Sequence, residues 1–190
     1  SIWMASMQKT LLARVQGEPD TGRIAALRAI EVAERIGMPL YLGGGYASLA
    51  HALVECAQWG DALTASERGF AILRNQFTGM LIEPEMALQD ATARALLGAG
   101  EVEPARAAAH EMLALCARAP ELGFPRVVTY LGTGHVLLRT EGPASPAANE
   151  ALDQTARLIE EFHTWSARPQ LHLEYAERAR LLGDTATALH

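Results

Sequence analysis

The sequence has a single lysine, Lys9, and only two cysteines, Cys56 and Cys116. Neither cysteine has a second one nearby, which excludes a disulfide framework and a CxxC metal or redox motif; both read as small buried residues. Lys9 follows no glycine run, so no Walker A loop exists to cradle a nucleotide's phosphates, and GxSxG, HExxH and EF-hand patterns are missing too. No apolar run approaches the roughly 20 residues of a membrane-spanning helix. The opening Ser1-Ile2-Trp3-Met4-Ala5-Ser6 lacks both the charged and the apolar region of a signal peptide. The net charge of −6, with 16 cationic residues scattered singly, leaves no electrostatic footprint for DNA or RNA. The expectation is a cytoplasmic chain with no catalytic motif, no metal or cofactor, and neither a nucleic-acid nor a membrane partner.

What the 190 residues do contain is apolar and helix-forming. The hydrophobic share is 49%, mostly Ala and Leu, against 6% aromatics and few β-branched residues. That composition predicts an all-α protein with ample core. One pattern recurs along it: a helical segment ends in a glycine turn and an Ala-rich helix follows. The turns are Val15-Gln16-Gly17-Glu18, Gln58-Trp59-Gly60-Asp61, Gly98-Ala99-Gly100-Glu101, Thr140-Glu141-Gly142-Pro143 and Leu181-Leu182-Gly183-Asp184, with glycines 43, 40, 42 and 41 residues apart. Each glycine suits the left-handed residue at a helix C-terminus, and the acid after four of them suits the positive N-terminal end of the next helix.

Apolar residues between turns follow helical spacing, as in Val128, Leu131, His135 and Leu138, or Leu152, Ala156, Ile159 and Phe162. A second break within each unit is marked by Gly37-Met38-Pro39, by Thr78-Gly79 with Glu83-Pro84, by Ala119-Pro120 with Gly123-Phe124-Pro125, and by Ala167-Arg168-Pro169. Proline there fits the first turn of an incoming helix, whose amides are unpaired anyway. The predicted helices cover 2–16, 20–36, 41–58, 61–77, 84–98, 102–118, 125–140, 145–164 and 169–182, with a stub from 185. The expected architecture is a right-handed superhelical solenoid of antiparallel helix pairs, about five units of about 41 residues. It forms one domain over 1–190 that reads as a fragment of a longer protein, since the last helix barely begins at Leu189-His190.

Small residues precede the turns (Ala52, Thr92, Gly134) and alanines follow them (Ala62 and Ala65, Ala105 and Ala108, Ala147 and Ala148). This pattern resembles tetratricopeptide repeats, although the units are longer than the usual 34 residues and closer to HEAT or armadillo length. The run from Arg168 to Ala186, RPQLHLEYAERARLLGDTA, is more specific. It is similar to the last repeats of the helical regions behind the cyclase and ATPase modules of bacterial class III adenylate cyclase-like proteins, and to those of maltose-regulator-type transcriptional activators. Ala33 to Leu40, AERIGMPL, and Ala50 to Ala62, AHALVECAQWGDA, look like repeats of the same group. The resemblance implies a regulatory or effector-binding arm whose catalytic and DNA-binding partners lie in other domains.

In such an arm the first helix of each pair lines the concave face, which nominates Tyr46, His51, Glu55, Arg94, Arg126, Tyr130, Glu174 and Arg178 as partner-binding residues. Their mixed charge suits a peptide or protein better than a polyanion; the competing reading is a solvated helix face or an inter-repeat contact. Gly43-Gly44-Gly45 is the oddest local feature, because helical glycine costs about 1 kcal/mol relative to alanine. Either the triplet opens a helix N-terminus to an anion, or it permits close approach of a neighbouring helix or local unwinding, with Gly132-Thr133-Gly134 a second loose spot. His51 and Glu55, one turn apart, lack a third metal ligand. His135 reads as a core-edge histidine, and Trp59 and Trp165 as indoles covering the seam between units, with Trp3 over an exposed end. The leading expectation is a non-catalytic protein-interaction or effector-sensing module of a multidomain signalling protein. The alternative is an intramolecular scaffold or homodimerisation arm.

Overall fold

The structure, a computed structural model, describes residues 5, 6, 9, 10, 12, 13, 16–74 and 82–184. Among them the chain is all-helical. Eight α-helices follow in order, α1 Pro19–Ile36, α2 Pro39–Glu55, α3 Trp59–Arg74, α4 Ile82–Gly98, α5 Val102–Arg118, α6 Gly123–Thr140, α7 Pro146–Phe162 and α8 Arg168–Leu182, with a 3-10 turn at Trp165–Ala167 before the last. The described residues before Gly17 are helical too. The expected positions of Trp3, of 75–77 and of the stub from 185 lie outside the described residues. No helix among the described residues is long and apolar enough to cross a membrane.

The boundaries follow local chemistry. Proline stands in the opening positions of α1, α2, α7 and α8, where it forfeits no intrahelical bond. Gly17, Gly100, Gly142 and Gly183 are left-handed, as the turn pattern requires, and Gly37 closes α1 in the same way. Gly60 departs from that pattern. It lies in the first turn of α3, and the left-handed residue of its turn is Ala57, with φ 55°. The bonds are those of a helix-ending loop all the same: Gln58 N–H donates to the Leu53 carbonyl at 2.9 Å, as Glu101 does to Leu96 and Asp184 to Ala179. The turn is conserved in geometry but slips three residues toward the N-terminus, because Trp59 begins α3 and lays its indole on Gly98 of α4, where a Cβ would come within 2.7 Å of the ring.

Contacts divide the chain into two compact units, Ser1–Glu101 and Val102–His190. In the first unit α2 packs against α1, α3 and α4, and α4 also rests on α3. The core is built from small side chains: Ala50, Ala62, Ala65, Ala91 and Ala95 surround Leu53, while Ala47, Leu73 and Leu88 form a second cluster. Glycine brings these helices together. The Gly43-Gly44-Gly45 triplet lies inside α2, one turn past its start, so its amides belong to the helical ladder and do not form an open N-terminal anion site. A Cβ on Gly43 would sit 2.6 Å from Leu73 of α3, one on Gly45 would sit 2.9 Å from Ile30 of α1, and one on Gly69 of α3 would sit 2.6 Å from Leu88 of α4. Of the two readings of the triplet, close approach is the one these contacts describe, and side-chain packing on both flanks offsets the helical cost of glycine.

In the second unit α6 packs on α5 and α7, and α8 rests on α7 and α6. Val127, Leu131, Leu152, Leu158, Ile159 and Leu171 make its core. Gly132-Thr133-Gly134 is tightly packed, not loose: all three are buried, and a Cβ on Gly134 would meet Leu152 at 2.5 Å. The buried hydroxyls of Thr129 and Thr133 donate to carbonyls one turn back, Pro125 and Thr129, each at 2.8 Å, so the core holds them without an orphaned polar atom.

Candidate functional site

The nominated residues fall into both units, and three of them, His51, Glu174 and Arg178, reach from one helix to another. In the first unit His51 of α2 points at α4, its Nε2 3.6 Å from Oδ2 of Asp90. Asp90 is fully buried, and its other oxygen accepts from Arg94 Nε at 2.9 Å, one turn along the same helix. A buried carboxylate loses hydration worth several kcal/mol, and the guanidinium beside it offsets that loss. His51 thus faces the buried carboxylate of Asp90, while Glu55, one turn along α2, is exposed. Among the described residues no three His, Cys, Asp or Glu side chains come together as a metal site.

The second unit carries the same device with a different arginine. Glu174 of α8 is 5% exposed and accepts from His135 Nδ1 at 2.7 Å and from Arg139 Nη1 at 2.7 Å, both on α6. Burial pushes this carboxyl up, but the two donors and their charges outweigh it and hold its pKa at about 2. Arg178, on the same helix, donates to Asn149 of α7 at 2.7 Å and lies over the Tyr175 ring at 5.3 Å. Arg126 donates to the Pro120 carbonyl at 2.7 Å and lies 5.8 Å from the centre of the Tyr130 ring.

A third tie crosses from α5 to the start of α7. His110 Nε2 lies 2.8 Å from Glu141, which also accepts from the Ser145 hydroxyl, and Ser145 in turn caps α7 by accepting from Ala148 N–H at 3.1 Å. The Ser145 hydroxyl bond, opposed by burial and helped by His110, lowers the Glu141 pKa. The carboxylate sits between serine and histidine, so the imidazole cannot take the hydroxyl's proton directly, as nucleophilic catalysis would require.

Among the described residues a shallow groove of about 240 Å³ lies between α2 and α3 of the first unit, lined by Tyr46, Leu49 and Leu53 on one side and by Asp61, Thr64, Ala65 and Arg68 on the other. Asp61 and Arg68 are exposed, and neither forms an ion pair among the described residues. No protein-family model, no curated protein and no solved structure matches the chain. The site therefore has to be read from its own geometry.

Of the residues nominated from sequence, Tyr46 reaches the groove, while His51 and Arg94 share one buried cluster and Glu174 anchors the other. Sequence reasoning missed Asp90, Arg139 and the groove's Asp61 and Arg68, and it took His135 for a core-edge residue. A signal was present. His135 and Glu174 stand 84 positions after His51 and Asp90 (135 − 51 and 174 − 90), and Tyr130 and Arg178 stand equally far after Tyr46 and Arg94. Two repeats, not one, are the period of this chemistry.

The remaining sequence-marked residues are structural. Cys116 is buried, which pushes its thiol up to about 12, while Cys56 is half-buried and raised less by burial and by Asp20. Trp165 covers no seam: it is 45% exposed with Arg168 stacked over its ring at 4.4 Å.

Proposed function

We propose that this chain is a non-catalytic interaction module, a tetratricopeptide-like right-handed solenoid of about five helix pairs that binds a protein or peptide segment on behalf of a multidomain signalling protein. The observation that carries the reading is a division of labour among polar side chains. The buried acids Asp90 and Glu174 are engaged in ties between helices, whereas Asp61 and Arg68 of the groove form no ion pair among the described residues and stand beside an apolar floor of Leu49, Leu53 and Ala65. Rigid helices that present an open, mixed-charge groove suit recognition of a segment better than enclosure of a substrate. The likeness of Arg168 to Ala186 to the arms of class III cyclase-like and maltose-regulator-type proteins favours a parent protein of that kind.

The test is to pan a displayed random-peptide library against the purified chain. A shared motif should emerge, and the corresponding free peptide should raise the thermal midpoint, as binding to the native state alone requires. A library that enriches nothing beyond a control helical bundle removes this reading. A second reading, assembly between copies, is favoured by Leu173 and Leu182 of α8, which are 68% and 60% exposed. Light scattering across a roughly hundredfold concentration range decides it: a dimer supports assembly, and a concentration-independent monomer eliminates it.

A further inference from the structure

We infer that the groove between α2 and α3 seats a short amphipathic helix of a partner protein, one carrying an acidic residue against Arg68, an aliphatic side chain over the floor and a basic residue against Asp61. This rests on the interaction-module reading and specifies its ligand.

The floor is apolar and the ends are opposite in charge. Tyr46, Leu49 and Leu53 stand at i, i+3 and i+7 on α2, and Asp61, Thr64, Ala65 and Arg68 at i, i+3, i+4 and i+7 on α3, so each helix gives one continuous stripe. The helices are joined by a three-residue turn, 56–58, and run antiparallel. Leu53 and Asp61 therefore mark one end of the groove, and Tyr46 and Arg68 the other. Asp61 and Arg68 are seven positions apart on one helix, about 10.5 Å along its axis at 1.5 Å per residue.

A helical ligand laid along the groove has the same rise, so its own charges must also be seven residues apart. Its acid belongs nearer its N-terminus and its base nearer its C-terminus, the order its own macrodipole favours. Such a helix runs antiparallel to α3. The volume of about 240 Å³ lies below the roughly 300–1,000 Å³ of a small-molecule site, which favours side chains inserted from a helix outside.

The inference is tested with four fluorescein-labelled, alanine-rich peptides of about 15 residues, long enough to be helical. Each has a central leucine, and the two positions seven apart carry acid and base, two glutamines, two bases or two acids. By anisotropy the wild-type chain should prefer the acid–base peptide over the glutamine one by about fivefold to tenfold. Arg68→Glu should shift the preference to the two-base peptide, and Asp61→Arg to the two-acid peptide. Both positions are exposed, and far-UV circular dichroism checks that each variant keeps the wild-type helix content.

Equal binding of all four peptides, an unchanged ranking in the variants, or no binding overturns the inference. A library-selected peptide whose affinity survives both substitutions sinks this groove but leaves the interaction-module reading standing. A library that enriches nothing removes both.

Discussion

Helices α4 and α8 hold equivalent places in the two units, yet they are held by different forces. Each follows a helix pair, α2–α3 or α6–α7, and each offers a carboxylate to a histidine 39 residues earlier on the first helix of that pair. In α4 the acid is the short Asp90, paired one turn along its own helix with Arg94, while Met86, Leu88, Ala91, Ala93 and Ala95 bury the rest of the helix. In α8 the longer Glu174 reaches across to Arg139 of α6, Arg178 crosses to Asn149, and only Leu171 and Ala179 are buried beside them. The comparison teaches that one register can be kept either by apolar area with an internal ion pair or by polar ties between helices. Where hydrophobic burial is small, hydrogen bonds carry the docking.

The largest effect expected from breaking this comparison is at Asp90. Asp90→Ala removes the buried carboxylate that accepts from the Arg94 guanidinium, and should cost about 3–5 kcal/mol by chemical denaturation. Glu174→Gln leaves partners with more access to water, and should cost about 2–3 kcal/mol at neutral pH. Its mark is local: amides of α8 should lose hydrogen-exchange protection while those of α4 keep theirs. Equal costs, or loss of protection in both helices, would show that the two docks do not differ.

Acid sharpens the same contrast. The Glu174 carboxyl titrates at about 2 in the native protein, against an ordinary glutamate value near 4.3 in the unfolded chain. A depressed native value means that its stabilisation is complete above the unfolded pKa and is lost as pH falls toward 2. The stability gap between wild type and Glu174→Gln should therefore close between about pH 4.5 and 2, and a gap independent of pH in that window would contradict the clamp.

Smaller effects compare the turns and the thiols. Ala57, left-handed at a cost of roughly 1–2 kcal/mol, stands where Gly100 stands in the next turn of the pattern. Ala57→Gly should raise stability by about 0.5–1 kcal/mol, part of the gain being lost to the freer unfolded chain, and Gly100→Ala should lower it by about 1 kcal/mol. Iodoacetamide at mildly alkaline pH should modify the half-buried Cys56 well before the buried Cys116, read by intact mass. Equal labelling rates would mean that the second unit opens as readily as the first.

Helix order and boundaries were legible because their causes are local. The predicted 102–118 and 84–98 match α5 and the C-terminal end of α4, and prolines at 19, 39, 146 and 169 stand at helix starts as their chemistry demands. The reading slipped at Gly60, because the seat of Trp59 on Gly98 is a contact between residues 39 positions apart that no local rule contains. The site was legible in fragments. His51, Arg94 and Glu174 were nominated from their place on first helices, but Asp90 in an alanine-rich helix carries no mark of its own, and His135 looked apolar in company until Glu174 came within 2.7 Å.

The sequence by itself determined an all-helical chain, the helix boundaries to within about three residues, and the left-handed conformation of four of the five turn glycines, since backbone dihedrals, missing amides and 3.6-residue periodicity act within a few residues of one another. Tertiary structure alone decided what the glycine triplet and the acids are for. Gly43 and Gly45 become packing surfaces only when Leu73 and Ile30 arrive, and Glu174 becomes an ionised clamp only when α6 brings His135 and Arg139 to it, because burial and pairing are properties of the assembled helices and not of any one of them.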